Sequence, residues 1–300
     1  MVISKKEDYK MSTKQIKQIL SGASPHMVGD GFRVSNYIPG PANIAQLANP
    51  FIMLDYNVPY NFPPSEYRRG VGEHPHRGFE TVSIAYEGQI EHRDSSGGGG
   101  MISADDVQWM TAASGVMHDE FQSQAFAEKG GIQHFIQIWV NLPAKDKMSA
   151  PKYQAITNEN ISVYKIDDKG SVNRIIAGNF KGVKGAASTF TPIEMYDLRM
   201  VAGAEVSFDI PASYNTMILI TKGSFTLNDE QLLKHKDFVL FKHEGETIKL
   251  KAEEDSYALV LSGEPINEPI VSYGPFVMNT KEEIVQAIDD FNAGKFGSIK

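Results

Sequence analysis

Residues 74–86 read HPHRGFETVSIAY, and two signals meet there. Thr81 to Tyr86 (TVSIAY) is a β-branched and aromatic run of strand length. Just before it, His74 and His76 stand at i and i+2, on one face of the chain if the segment is extended. Pro75 favours extension, because it disfavours a helical conformation at His74 and cannot donate to a sheet ladder. Runs of the same kind recur at Phe135 to Val140 (FIQIWV), Met217 to Thr221 (MILIT), Phe238 to Phe241 (FVLF) and Tyr257 to Leu261 (YALVL). Gly, Pro, Asn and Asp clusters separate strand-like runs at intervals of roughly 8–12 residues, the pattern of a sandwich or barrel.

A length of 300 residues gives a prior of two domains. Residues 141–152, NLPAKDKMSAPK, are polar and flanked by prolines, and read as a linker between two all-β units. The tail changes character. Thr280-Lys281-Glu282-Glu283 fits a capping box, Ile284, Val285, Ile288 and Phe291 form an apolar helical stripe, and Gly294 is a stop. Near the other end, MSTKQIKQILS at 11–21 fits a strand or a short helix equally. The Gly97–Gly100 run lacks the Lys-Ser/Thr of a phosphate loop and reads as a hairpin tip.

Composition narrows the functional classes. The 41% hydrophobic and 22% charged residues are ordinary globular values. With no cysteine, disulfides, thiolate zinc sites, iron–sulfur clusters and a cysteine nucleophile are all excluded. The formal charge of −8 lacks the basic footprint of a nucleic-acid binder, so no direct nucleic-acid contact is expected. No apolar stretch reaches the ~18 residues of a membrane span. The start shows no charged, apolar and small-residue series of a secretory leader, so a cytoplasmic protein is expected. Met11 is a second plausible beginning, and residues 1–11 are expected to form a flexible extension.

Six of the eight histidines fall in the first 150 residues. His118 and Glu120 repeat the i, i+2 spacing of His74 and His76. On a neighbouring strand about 4.8 Å away, they could meet the first pair over a common point. Three nitrogens and one oxygen would then converge, leaving two positions of an octahedron open. Packing imidazoles against a carboxylate without a cation is electrostatically costly, which favours a metal site over a purely structural cluster. The open positions favour redox or Lewis-acid chemistry over a closed structural zinc. Ligand type alone admits iron, manganese, cobalt, nickel, copper or zinc.

HPHRGFET at 74–81, DVQWMTAASGVMHDE at 106–120, QIWVNLP at 137–143 and GEPINEPIVSYGPFVMNTKEEI at 263–284 together resemble the pirin family of the cupin superfamily. The resemblance covers nearly the whole chain after Met11. It implies an all-β bicupin: two tandem jelly-roll β-barrels and a short C-terminal helix. The expected division is a first barrel with the metal site at 12–146, a second barrel without metal at 147–278, and helix and tail at 279–300. In the family the first barrel binds one iron through three histidines and one glutamate, which fall on His74, His76, His118 and Glu120. Fe(II) is the expected cofactor, with other divalent transition metals as alternatives. Glu80, where many other cupins place a carboxylate ligand, is expected only behind the ligands. Asp119 and Arg77 are expected to point away from the metal, and His235 and His243 to be surface or structural residues. His92 and His134 receive no role.

Pirins are described as quercetin 2,3-dioxygenases. The resemblance therefore implies an enzyme that opens the heterocycle of a flavonol with both atoms of dioxygen and releases carbon monoxide. Glu120 is the expected general base, and a monomer is expected. A different class stays open: a redox-sensitive iron-binding regulator acting through protein partners, as a transcription cofactor or modulator of metabolic enzymes. A 2-oxoglutarate oxygenase using His118 and Glu120 would leave His74 and His76 idle.

Overall fold

The structure, a computed structural model, describes residues 12–299, so the expected extension at 1–11 lies outside the described residues. Two seven-stranded sheets and two four-stranded sheets hold most of the strands. In the first barrel, strands Lys152–Ile156, Val107–Thr111, Phe79–Glu87, Gly131–Asn141, Phe51–Phe62, Phe32–Ile38 and His26–Val28 lie side by side in that order. They pack on the four-stranded sheet Gly70–His76, Val116–Gln122, Ile90–Asp94 and Gly99–Ile102 through Phe32, Val34, Phe135, Ile90 and Ile102. The second barrel repeats the scheme. Its four-stranded sheet, which includes Glu205–Asp209 and Thr247–Ala252, packs on a seven-stranded sheet centred on Asn215–Lys222 and Ser256–Gly263. The molecule is a bicupin, two cupin barrels in tandem with one C-terminal helix.

Strand periodicity decides what each face meets. In Asn215–Lys222, Ile218 and Ile220 point into the second barrel, while Met217 and Leu219 point out of it. Those outward residues pack against Tyr56, Val82, Trp109, Ile136 and Ile138 of the first barrel in one core. The faces that the two large sheets turn to each other are therefore dry. In the first barrel the opposite face of Gly131–Asn141 carries Phe135, Gln137 and Trp139, and that of Phe51–Phe62 carries Met53, Asp55 and Asn57. The second barrel is filled with Ile, Leu, Val and Phe; the first keeps a partly polar hollow.

The segment 141–152 is not a loose connection: Lys147 is buried and donates to Gly78 O at 2.7 Å, Asn141 Oδ1 at 2.7 Å and Val277 O at 2.9 Å. Within that polar segment Asn141 and Lys147 face the interior, while Lys145 and Lys152 face solvent. The units also trade edge strands across the expected boundaries at 12 and 146–147. Ile16–Leu20 pairs with Phe238–Phe241 of the second barrel, and Lys152–Ile156 pairs with Val107–Thr111 of the first. An uncovered edge is a liability, and each exchange covers one.

The helix runs Lys281–Asn292 with the capping box in place, Glu283 N donating to Thr280 Oγ1 and Thr280 N to Glu283 Oε2. Of the expected stripe, Ile284 is buried and Ile288 packs beside it, but Val285 lies about 100° further round and is 57% exposed. No helix among the described residues is long and apolar enough to cross a membrane.

Candidate metal centre

Strand Gly70–His76 runs antiparallel to Val116–Gln122 with His74 directly opposite His118 and His76 opposite Val116. The register shifts between His118 and Glu120, so Glu120 faces Val71. This pairing brings His74, His76 and His118 together, and Glu120 joins them through His118. The ring centroids of His74 and His118 are 4.2 Å apart, those of His76 and His118 are 4.7 Å apart, and those of His74 and His76 are 4.9 Å apart. Ligand atoms of His74, His76 and His118 lie within 4.8 Å of one another, as do those of His92, His118 and Glu120. His118 belongs to both groups and links them.

Each of the three expected imidazoles is held through Nδ1. His74 Nδ1 donates to Gly72 O at 2.8 Å and His76 Nδ1 to Pro275 O at 3.4 Å, while His118 Nδ1 meets His92 Nδ1 at 3.3 Å. The bonds through Nδ1 leave Nε2 of each ring free for another partner. Nε2 of His118 and Oε1 of Glu120 are buried without any hydrogen-bond partner. A buried polar atom left unpaired costs about 1–3 kcal/mol, so two side by side are a demand for something that binds lone pairs. Burial first, and the neighbouring imidazoles second, push His76 and His118 well below the ordinary histidine range. Neutral imidazoles are the ligating form. A nitrogen and oxygen donor set of this kind fits a divalent transition metal.

Glu120 Oε2 accepts from Gln137 Nε2 at 2.8 Å, which leaves Oε1 as its free oxygen. His74, His76 and Glu120 line a cavity of about 340 Å³, near the lower limit of small-molecule sites. Val28, Phe32, Val34, Phe135 and Trp139 make its walls apolar. Asp55, Asn57 and Gln137 are its polar exceptions beside the cluster; both amide atoms of Asn57 are buried and unpaired.

The remaining sequence candidates have other work. Glu80 is buried and accepts from Thr111 Oγ1 at 2.7 Å, and burial raises its pKa to about 7; it bonds to none of the clustered imidazoles. Arg77 turns away, donating to Ser114 O at 2.7 Å and to Asp290 Oδ2 of the C-terminal helix at 2.8 Å. Asp119 pairs with Arg93. His134 and His235 both contact the Tyr56 hydroxyl at 3.0 and 3.1 Å between the barrels, and His243 bonds Asn215 Oδ1 at 2.8 Å.

His92 is the residue that sequence reading leaves out. Val116–Gln122 also pairs with Ile90–Asp94, which puts His92 opposite Glu120 and Asp94 opposite His118. Only the i, i+2 spacing of His92 and Asp94 hints at this, and its meaning depends on knowing the partner strand.

Known proteins match both the sequence and the fold. The pirin family model matches residues 31–140 and the model for the pirin C-terminal cupin domain matches 195–297. A Pseudomonas aeruginosa protein provisionally named a quercetin 2,3-dioxygenase is 43% identical over 94% of this chain and 98% of its own length. A tomato (Solanum lycopersicum) pirin-like protein is 37% identical over 94% of this chain and 92% of its own. The crystal structure of an Acinetobacter baumannii protein titled quercetin 2,3-dioxygenase is 48% identical and superposes with a TM-score of 0.91, covering 96% of this chain and all of that one.

Proposed function

The chain belongs to the pirin family, and from that premise we propose that it is a metal-dependent dioxygenase acting on quercetin-like flavonols. Its metal, iron in this reading, is held by His74, His76, His118 and Glu120. The observation that carries the proposal is the pair of buried, unpartnered atoms, His118 Nε2 and Glu120 Oε1, in a cluster whose His74, His76 and Glu120 line a largely apolar cavity. A divalent metal held there would supply Lewis-acid stabilisation of the flavonol enolate and redox chemistry toward dioxygen.

The chain's own residues do the rest. Glu120, held through Oε2 by Gln137, offers Oε1 to the proton of the flavonol's ring hydroxyl. Phe32, Phe135 and Trp139 give a flat aromatic ligand apolar surface and exclude water from the reacting enolate. Asn57 and Asp55 offer hydrogen bonds to hydroxyls further along the ligand. In the balanced reaction both oxygen atoms enter the opened product, and the excised ring carbon leaves as carbon monoxide.

The test is anaerobic loading with Fe(II), then addition of quercetin and oxygen, following carbon monoxide and the loss of flavonol absorbance. Stoichiometric carbon monoxide is expected. A fully metallated sample that leaves quercetin intact overturns the flavonol assignment and returns the weight to the redox-sensitive regulator.

A further inference from the structure

We infer that His92 and Asp94 are positioning residues of the metal centre, forming a relay in which Asp94 orients His92 and His92 fixes the ring and tautomer of His118. The inference rests on the reading of His118 as a metal ligand. Its geometry is independent of that reading. His118 Nδ1 lies 3.3 Å from His92 Nδ1, and His92 Nε2 lies 3.3 Å from Asp94 Oδ2. Both histidines are buried, and the His92 and Asp94 side chains are wholly excluded from solvent.

Proton counting orders the relay. A neutral imidazole carries one ring proton. With Nε2 of His118 turned to the cation, its proton sits on Nδ1 and is donated to His92 Nδ1. That nitrogen of His92 must then be the acceptor, so its proton is on Nε2 and is donated to Asp94. One tautomer per ring satisfies every contact. His92 has no nitrogen left over, which separates it from the ligands even though it lies in one group with His118 and Glu120.

The far end of the relay is anchored. Asp94 Oδ1 accepts from Ser96 N at 2.8 Å, Ser96 Oγ at 2.6 Å and Gly98 N at 3.0 Å, which fixes Oδ2 on the His92 side. The His92 ring also lies nearly parallel to that of Tyr153, with centroids 5.3 Å apart and planes 15° apart. A carboxylate behind a ligating imidazole raises its basicity, and with it the donation that favours the higher oxidation state of a redox metal.

The experiment loads the full-length protein and the variants His92→Phe, His92→Gln and Asp94→Asn with Fe(II) under anaerobic conditions. It measures iron per chain at saturation, Fe(II) affinity by chelator competition, and the Fe(III)/Fe(II) midpoint potential. His92→Phe and Asp94→Asn are expected to keep one iron at saturation, bind it about 10–100-fold more weakly, and shift the potential upward. His92→Gln, whose amide oxygen can accept the His118 proton, is expected to recover part of the affinity. If His92→Phe does not fold by circular dichroism, Asp94→Asn and His92→Gln decide the matter. Variants that match an iron-binding wild type in affinity and potential overturn the relay alone. Loss of all iron from folded His92→Phe, as in His118→Ala, makes His92 a ligand and also overturns it. A wild type that binds no iron overturns the metal reading and the relay together.

Discussion

Lys147 is 1% exposed, yet its amine meets three acceptor oxygens at 2.7–2.9 Å, one for each proton of an ammonium. Burial pushes its pKa down to about 7, against an ordinary value of 10.5. Between these values the unfolded chain holds the proton more firmly than the folded one, so this group makes stability rise with pH across that window. Lys147→Met should flatten that part of the urea-midpoint profile. By stranding three buried oxygens, the same variant should also lower stability at pH 7 by about 3 kcal/mol or more. At Asn57 the expectation concerns the ligand. If its unpaired amide meets a flavonol hydroxyl, Asn57→Leu should raise the KM for quercetin about tenfold, with a smaller effect on a flavonol lacking the outer-ring hydroxyls. Equal effects on both would remove Asn57 from ligand recognition. At this scale the sequence was most legible where neighbours two apart share a face, as at His74 and His76 or His118 and Glu120. His92 was hidden because its significance comes from a partner 26 residues away in the chain.

Strands were legible where they are buried on both faces. TVSIAY, FIQIWV, MILIT, FVLF and YALVL all belong to the seven-stranded sheets, covered inside by a barrel interior and outside by the other barrel. Strands such as Glu205–Asp209 and Thr247–Ala252, in the four-stranded sheet, alternate buried and exposed residues and carry Glu, Lys and Asp outward. That lower hydrophobicity kept them from standing out. Ile16–Leu20 stayed ambiguous because its five residues gain strand character only from pairing with Phe238–Phe241. Deleting residues 1–20 should therefore leave Phe238–Phe241 as an open apolar edge, and size-exclusion chromatography should show aggregates in place of the wild-type peak. The C-terminal helix, by contrast, was announced by its own cap. Thr280→Ala removes the acceptor for Glu283 N and should cost about 1 kcal/mol in chemical unfolding.

The whole molecule puts one interior to chemical use and closes the other. Facing apolar residues fill the second barrel, with Phe208, Ile218, Phe225, Leu250 and Val260 in one cluster. In the first barrel the corresponding space holds histidines, Glu120, Asn57 and a cavity. A barrel that gives up part of its core to a site must find stability elsewhere, and the seam supplies it: Leu219 and Leu259 of the second barrel share a core with Trp109 and Ile138 of the first. The two barrels should therefore unfold as one unit. Both tryptophans, Trp109 and Trp139, lie on strands of the first barrel's large sheet, so their fluorescence reports that barrel. Leu219→Ala lies across the seam in the second barrel and should cost about 2–5 kcal/mol. If the seam couples the barrels, the urea midpoint seen by tryptophan fluorescence should fall together with the midpoint seen by far-ultraviolet circular dichroism. A fluorescence midpoint that stays at the wild-type value, while circular dichroism shows an earlier phase, would mean that the first barrel is stable without the second.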